Sequence, residues 1–351
     1  MWKALGCAVQ GNGHFANNIP CQDKVASLRK NGVSVIALAD GAGSAKLSHY
    51  GAEKVTQFVC EKLCSNFDYM FADDRDGLNA KTDLLFDINY MLEKLAEGHD
   101  CSVRDFSSTL LSVAIRDEDV LAIHLGDGII GCLKNDELKV ISKPDNGEYA
   151  NLTVFTTSER AISSIKFIKG RLKDKQGFVL MSDGSCASLY NKQTNELSSG
   201  IRNFMKECDK RRSVALNDQL IESFKYDVRS KTNDDCSIAI LYNDENTFPR
   251  YKNLESQEKI KILSVNKCNR MYKDEDKILR YISENGKSLI SIKRYFHKKP
   301  ERIKNALVRM EYLNLIYEKD KVFLPVIKIA SDDNTFLKLK SSEGEEGEHE
   351  L

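Results

Sequence analysis

Short apolar runs of strand length alternate with polar turns through the first two thirds of the chain. Val33–Ala39, Leu110–Ile115, Val120–Leu125, Ile129–Leu133, Leu138–Ile141, Phe178–Met181 and Cys236–Leu241 are each four to seven residues long and rich in Val, Ile and Leu. Tight polar turns, Arg116-Asp117-Glu118-Asp119 and Lys134-Asn135-Asp136, separate several of them, which predicts hairpins. The pattern gives a meander from about residue 109 to 142 and a largely antiparallel sheet, unlike a doubly wound nucleotide fold. Helical periodicity covers roughly 44–65, with Ala52, Val55, Val59 and Leu63 on one face, then 79–97, then 198–225 in pieces. Strands grouped between helices define an α+β layered domain over residues 1–245.

The texture changes after that. Asn243–Ser256, with Pro249, reads as a linker, placed at 246–256. Asp276–Asn285, Leu289–His297 and Glu301–Leu313 predict three short helices, with Pro300 at the first turn of the third. Leu315–Tyr317 and Val322–Val326 bracket the polar turn Glu318–Lys321. Three helices and a small hairpin outline a winged-helix-like domain over 257–330. The remaining 331–351 ends in a Gly/Glu-rich tail, expected to be disordered.

Composition narrows the function classes only a little. The 351 residues hold 52 Lys+Arg against 52 Asp+Glu, so net charge implies no partner. No run approaches the ~18–20 apolar residues of a membrane span, and Met1-Trp2-Lys3-Ala4-Leu5 lacks a signal-peptide core. Ten cysteines are scattered without a Cys-x-x-Cys pair, which points to reduced thiols in the cytoplasm and away from a zinc site. From Lys287 to Arg309, eight Lys/Arg face a single Glu, with Tyr295, Phe296 and His297 among them. The C-terminal domain is therefore read as a protein-docking module or, alternatively, a DNA-binding one, with Arg302, Lys304 and Arg309 on its third helix.

The chemistry lies in aspartates where apolar runs stop. Asp40 follows Val-Ile-Ala-Leu-Ala, Asp127 follows His124-Leu125-Gly126, Asp183 follows Leu-Met-Ser, and Asp235 precedes Cys-Ser-Ile-Ala-Ile-Leu. Three of these four stand in Asp-Gly, where the missing Cβ lets the backbone turn and present a carbonyl. Asp-Gly is also a common turn dipeptide. Unpaired buried carboxylates are costly, however, and several at one sheet edge suit a hard divalent cation such as Mg²⁺ or Mn²⁺. The stretch Ala37-Leu38-Ala39-Asp40-Gly41-Ala42-Gly43 lacks the Gly-Lys-Ser/Thr of a phosphate loop.

In order, "CQD" (21–23), "ALADGAGSA" (37–45), "SSTLL" (107–111), "HLGDG" (124–128), "LMSDG" (180–184) and "NDDCSIAIL" (233–241) resemble the motifs of the PP2C-type, metal-dependent protein Ser/Thr phosphatases, the PPM family. The resemblance spans about residues 5–242 and implies an antiparallel β-sandwich flanked by helices, with two metal ions, or three, at one sheet edge. It implies that Asp40 bridges two metals, that the Gly41 carbonyl serves one, and that Asp183 and Asp235 bind the other. Asp23 then orients metal-bound water from behind, and Asp127 with Asp183 holds a looser third ion. The implied activity is hydrolysis of phosphoserine and phosphothreonine on proteins by a metal-activated water, within a signalling pathway whose kinase is a candidate substrate.

Three positions depart from the pattern. Gln22 stands where many relatives carry Glu and offers an amide oxygen, directly or through water. Ala42 stands where His or Met is common. The phosphate-gripping arginine has no counterpart; His14 lies in that neighbourhood, either as a contact to phosphate and proton donor or as a structural residue. These departures leave open an alternative: a weak or inactive phosphatase-like regulator acting through its C-terminal domain. "GNGHF" (11–15) reads as a turn at the site rim, "ADDRDG" (72–77) as a solvated loop, and Ser107-Ser108-Thr109 as the start of a core strand.

Overall fold

A computed structural model describes residues 2–72, 77–134, 137–144, 153–172, 176–208, 213–243, 271–282, 286–296, 300–312, 315–319 and 321–325. The expected linker at 246–256, most of the "ADDRDG" loop and the tail at 331–351 lie outside the described residues. Contacts divide the chain into two units. The larger holds Trp2–Met205 and Asn217–Tyr242; the smaller takes in Lys206–Leu216 and the described elements from Met271 to Pro325.

The larger unit contains two five-stranded sheets. One has the order β2 (Lys24–Lys30), β3 (Val33–Ala39), β4 (Leu110–Arg116), β5 (Asp119–Leu125), β8 (Lys166–Arg171), antiparallel throughout. The other has the order β1 (Trp2–Val9), β12 (Cys236–Asn243), β9 (Gln176–Met181), β6 (Ile129–Lys134), β7 (Glu137–Ser142). A two-stranded ribbon, β10 (Tyr190–Asn191) with β11 (Glu196–Leu197), forms a separate small sheet.

All seven residues of β3 are buried, Ser34 included, which explains its largely apolar sequence. Ile36 and Leu38 meet Leu111, Val113, Phe178, Leu180, Ala239 and Leu241 between the sheets. Val33, Val35 and Ala37 point the other way, into a second layer with α2 (Ser48–Ala72) and α3 (Leu78–His99). Asn31 and Gly32, both at positive φ, close the β2–β3 hairpin in the two-residue turn that suits strand twist.

The expected single meander over 109–142 is not formed. The hairpins β4–β5 and β6–β7 form, but in different sheets. Gly126-Asp127-Gly128 carries the chain from one sheet to the other. Gly126 has φ +114°, and a Cβ there would sit 2.6 Å from the Thr109 side chain. At Gly128 a Cβ would lie 2.5 Å from the Met181 carbonyl. That close approach of two sheet edges replaces a third hairpin and leaves Asp127 at their junction.

"GNGHF" is a short helix, α1 (Asn12–Ala16), instead of a turn. Further along come α4 (Ala161–Ser164), α5 (Asp183–Leu189), α6 (Ser199–Cys208), α7 (Ser213–Ser223) and a π-helical turn at Phe224–Val228. No helix among the described residues is long and apolar enough to cross a membrane.

In the smaller unit, α8 (Met271–Ile282), α9 (Leu289–Phe296) and α10 (Pro300–Tyr312) surround a core that includes Ile278, Ile282, Ile292, Leu307 and Met310. A three-stranded sheet, β13 (Lys287–Ser288), β15 (Val322–Pro325), β14 (Ile316–Lys319), completes it. Two of the three cations singled out on α10 face acids of α8: Arg302 lies 2.5 Å from Asp274 and Arg309 3.3 Å from the buried Glu275.

Candidate metal centre

Register brings the strand ends to one edge. Ala39 pairs with Lys24, Leu110 with Leu125, and Met181 with both Ile129 and Ile238. Asp40, Asp23, Asp127, Asp183 and Asp235 each extend one of these strands by one or two residues. Among the described residues, one oxygen each from Asp40, Asp127 and Asp183 come within 4.8 Å of one another.

Asp40 is fixed from below by the Ser107–Thr109 segment. Its N–H donates to Thr109 Oγ1 (2.9 Å), its carbonyl accepts from the Thr109 N–H (2.8 Å), and the Ala42 N–H donates to the Ser107 carbonyl (2.9 Å). Gly41 forms an isolated bridge to Ser108 and donates to the Gln22 carbonyl at 3.2 Å. A Cβ on Gly41 would fall 2.8–2.9 Å from Ser48, so only glycine fits. Asp183 opens α5 and accepts from its neighbour's N–H, Gly184, at 2.6 Å.

The electrostatics are those of a site built for positive charge. Asp23 is wholly buried, and neither of its carboxylate oxygens has a hydrogen-bond partner at normal geometry. Burial, then the charge of Asp235, pushes its carboxyl up to about 8. Burial, then Asp127 and Asp234, raises Asp183 to about 6. Asp40 is raised well above the usual carboxylate range by burial, then by Asp23 and Asp183. Clustered carboxylates that oppose one another's ionisation are stabilised together by a cation. The donors are all oxygen, the set that hard divalent ions take.

Asp235 is placed differently from the other expected ligands. It is 2% exposed, and its oxygens accept from the Gly11 N–H (2.7 Å) and the Gln22 N–H (2.6 Å). His14 Nδ1 lies 2.9 Å from its Oδ2. Gln22 is itself 6% exposed, with Oε1 beside Gly43. The open neighbour is Asp234, 49% exposed at its side chain. Sequence reading passed over Asp234, although an adjacent acidic pair entering a core strand was the available signal.

The "GNGHF" glycines serve this junction. A Cβ on Gly11 would lie 2.3 Å from the Asp234 carbonyl, and one on Gly13 would lie 2.8 Å from that of Asn233. His124 of "HLGDG" is structural: buried, its Nδ1 is 2.6 Å from Ser142 Oγ and its Nε2 3.1 Å from the Gly126 carbonyl.

Residues 10–224 match the family model described as Protein phosphatase 2C. "Serine/threonine-protein phosphatase 3" of Escherichia coli (strain K12) is 28% identical over 172 residues. That alignment covers 47% of this chain and 66% of the relative, just under two thirds of its length. Among solved structures, the S. agalactiae serine/threonine phosphatase is 16% identical, with a TM-score of 0.45, over 69% of this chain and 99% of that one. The catalytic domain of PstP, solved with two manganese ions, is 15% identical, with a TM-score of 0.42, over 69% and 97%.

Proposed function

Because this chain belongs to the protein phosphatase 2C family, we propose that it hydrolyses phosphoserine and phosphothreonine on proteins, using a water activated by divalent metal. The observation that carries the reading is the convergence of Asp40, Asp127 and Asp183 from two different sheets, with the orphaned Asp23 carboxylate behind them.

In this reading Asp40, the Gly41 carbonyl and Asp183 would hold two Mn²⁺ or Mg²⁺ ions, and Asp127 with Asp183 would hold a third, looser one. The ligand role expected of Asp235 passes to the adjacent Asp234, since both Asp235 oxygens already accept from backbone N–H groups or face His14. Asp235 then positions α1 and Gln22 through the Gly11 and Gln22 N–H groups, and the Gln22 amide oxygen would serve as a further donor. When bound, the ions supply Lewis acidity and a nucleophilic water at neutral pH. Asp23, shielded from solvent behind these carboxylates, would serve as a proton acceptor. His14, whose Nδ1 lies 2.9 Å from Asp235 Oδ2, is placed to offer an imidazole proton to the departing serine or threonine oxygen. Nine free cysteines among the described residues fit a reducing cytoplasm.

Hydrolysis of phosphoserine and phosphothreonine peptides by the full chain, with Mn²⁺ and then with chelator, tests the proposal. Turnover that survives chelation, or no turnover with any divalent ion, rejects it; the latter favours the inactive-regulator alternative.

We further read residues 257–330 as a winged-helix-like docking domain for a protein, joined by the 246–256 linker to the phosphatase domain at 1–245. Arg302 and Arg309 on α10 are paired with α8 acids, which leaves that helix little charge for phosphates. A kinase or other phosphoprotein of the same signalling pathway fits as the docked substrate. Salt-dependent binding of duplex DNA by the full chain would overturn this in favour of the DNA reading.

A further inference from the structure

The segment Thr153–Ser158 lies against the centre without a role in the reading above. Thr153 Oγ1 donates to Asp127 Oδ2 at 2.5 Å. Three residues on, the Thr156 N–H donates to the Ser108 carbonyl at 2.9 Å. Thr157 Oγ1 and Ser107 Oγ lie 2.6 Å apart, and Asn89 Nδ2 of α3 donates to the Thr156 carbonyl at 3.1 Å. Ser158 Oγ closes the segment on itself by accepting from the Phe155 N–H at 2.9 Å. The same Ser107–Thr109 backbone carries Asp40. One short strap therefore touches the mounting of Asp40 and grips the carboxylate of Asp127.

We propose that Thr153 is a positioning residue for metal binding. Its hydroxyl fixes one oxygen of Asp127, so that the other faces an ion shared with Asp183. This rests on the metal-centre reading. Asp127 stands between two glycines at the crossover between sheets, so neither chain neighbour offers a side chain to hold its carboxylate. Repulsion from Asp40 and Asp183 would swing an unheld carboxylate away from them. Partners of this kind behind a ligand typically change metal affinity by about 10–100-fold.

Mn²⁺ titration of the full chain, followed by calorimetry and by the electron spin resonance of free Mn²⁺, provides the test. Thr153→Val keeps the shape and loses the donor; Thr153→Ser keeps the donor. The weakest Mn²⁺-binding event should weaken about 10-fold or more in Thr153→Val and recover in Thr153→Ser. In an Asp127→Asn background, Thr153→Val should add little, since the hydroxyl acts through Asp127. A Thr153→Val isotherm that superimposes on wild type overturns the inference while leaving the metal centre intact. So does a Thr153→Ser variant as impaired as Thr153→Val, or full additivity with Asp127→Asn. Wild-type protein that binds no Mn²⁺ would overturn both readings together.

Discussion

His14 Nδ1 stands 2.9 Å from Oδ2 of Asp235, a carboxylate already held by two backbone N–H groups. That approach places the imidazole, a proton donor, beside the acidic cluster. His14→Gln should therefore slow phosphopeptides, whose alkoxide leaving group needs that proton, by roughly 100-fold. Hydrolysis of p-nitrophenyl phosphate, whose leaving group needs none, should change far less. Equal losses on both substrates would assign His14 a purely structural role.

Removing a ligand should separate activity from folding. Asp40→Asn and Asp183→Asn should each lower Mn²⁺-stimulated hydrolysis of an aryl phosphate by about 100-fold or more. The same changes should raise the melting temperature of the metal-free protein, because each relieves repulsion among buried carboxylates. Full activity in both variants would refute the ligand assignment.

The acidic cluster also sets a pH dependence. Burial makes Asp23 and Asp183 bind protons more tightly folded than unfolded, at about 8 and about 6 against roughly 3.9 for an ordinary aspartate. Metal-free protein should thus be most stable near pH 4 and lose this contribution as pH rises through 6 towards 8. Saturating Mn²⁺ should flatten the slope, because the ion replaces the protons. Thermal melts with chelator and with Mn²⁺ across that range check both signs.

Gly41 leaves no room for a side chain beside Ser48. Gly41→Ala should destabilise the protein by about 1–3 kcal/mol and displace the carbonyl proposed to bind metal. Chemical denaturation measures the first effect and Mn²⁺ titration the second.

In the smaller unit, Glu275 is wholly buried 3.3 Å from Arg309, and burial raises its carboxyl despite that cation. Arg309→Met leaves a buried acid without its partner and should cost roughly 3 kcal/mol. The double change with Glu275→Gln should recover most of the loss; denaturant melts of the single and double variants would show whether it does.

The acidic cluster was readable because Asp40, Asp127 and Asp183 each stand at the end of an unmistakable apolar run. β2 was missed: Val25-Ala26-Ser27-Leu28 is short and mixed, and the Asn31-Gly32 turn that betrays the hairpin went unused. The meander failed because turn dipeptides do not tell a hairpin from a crossover; the difference lies in what Gly126 and Gly128 touch. Asp234 and Asp235 are adjacent and chemically identical, so only burial distinguishes them. Thr153 carries no signal in one dimension, because its partner is 26 positions away.

Asp40 is mounted on the strand most completely enclosed by the protein, gripped by a helical layer on one side and an opposing sheet on the other. Such a mount cannot loosen by itself. On heating, the chain should keep its ion-holding geometry up to the cooperative melt and then lose catalysis and tertiary structure in a single step, with no inactive but folded species in between.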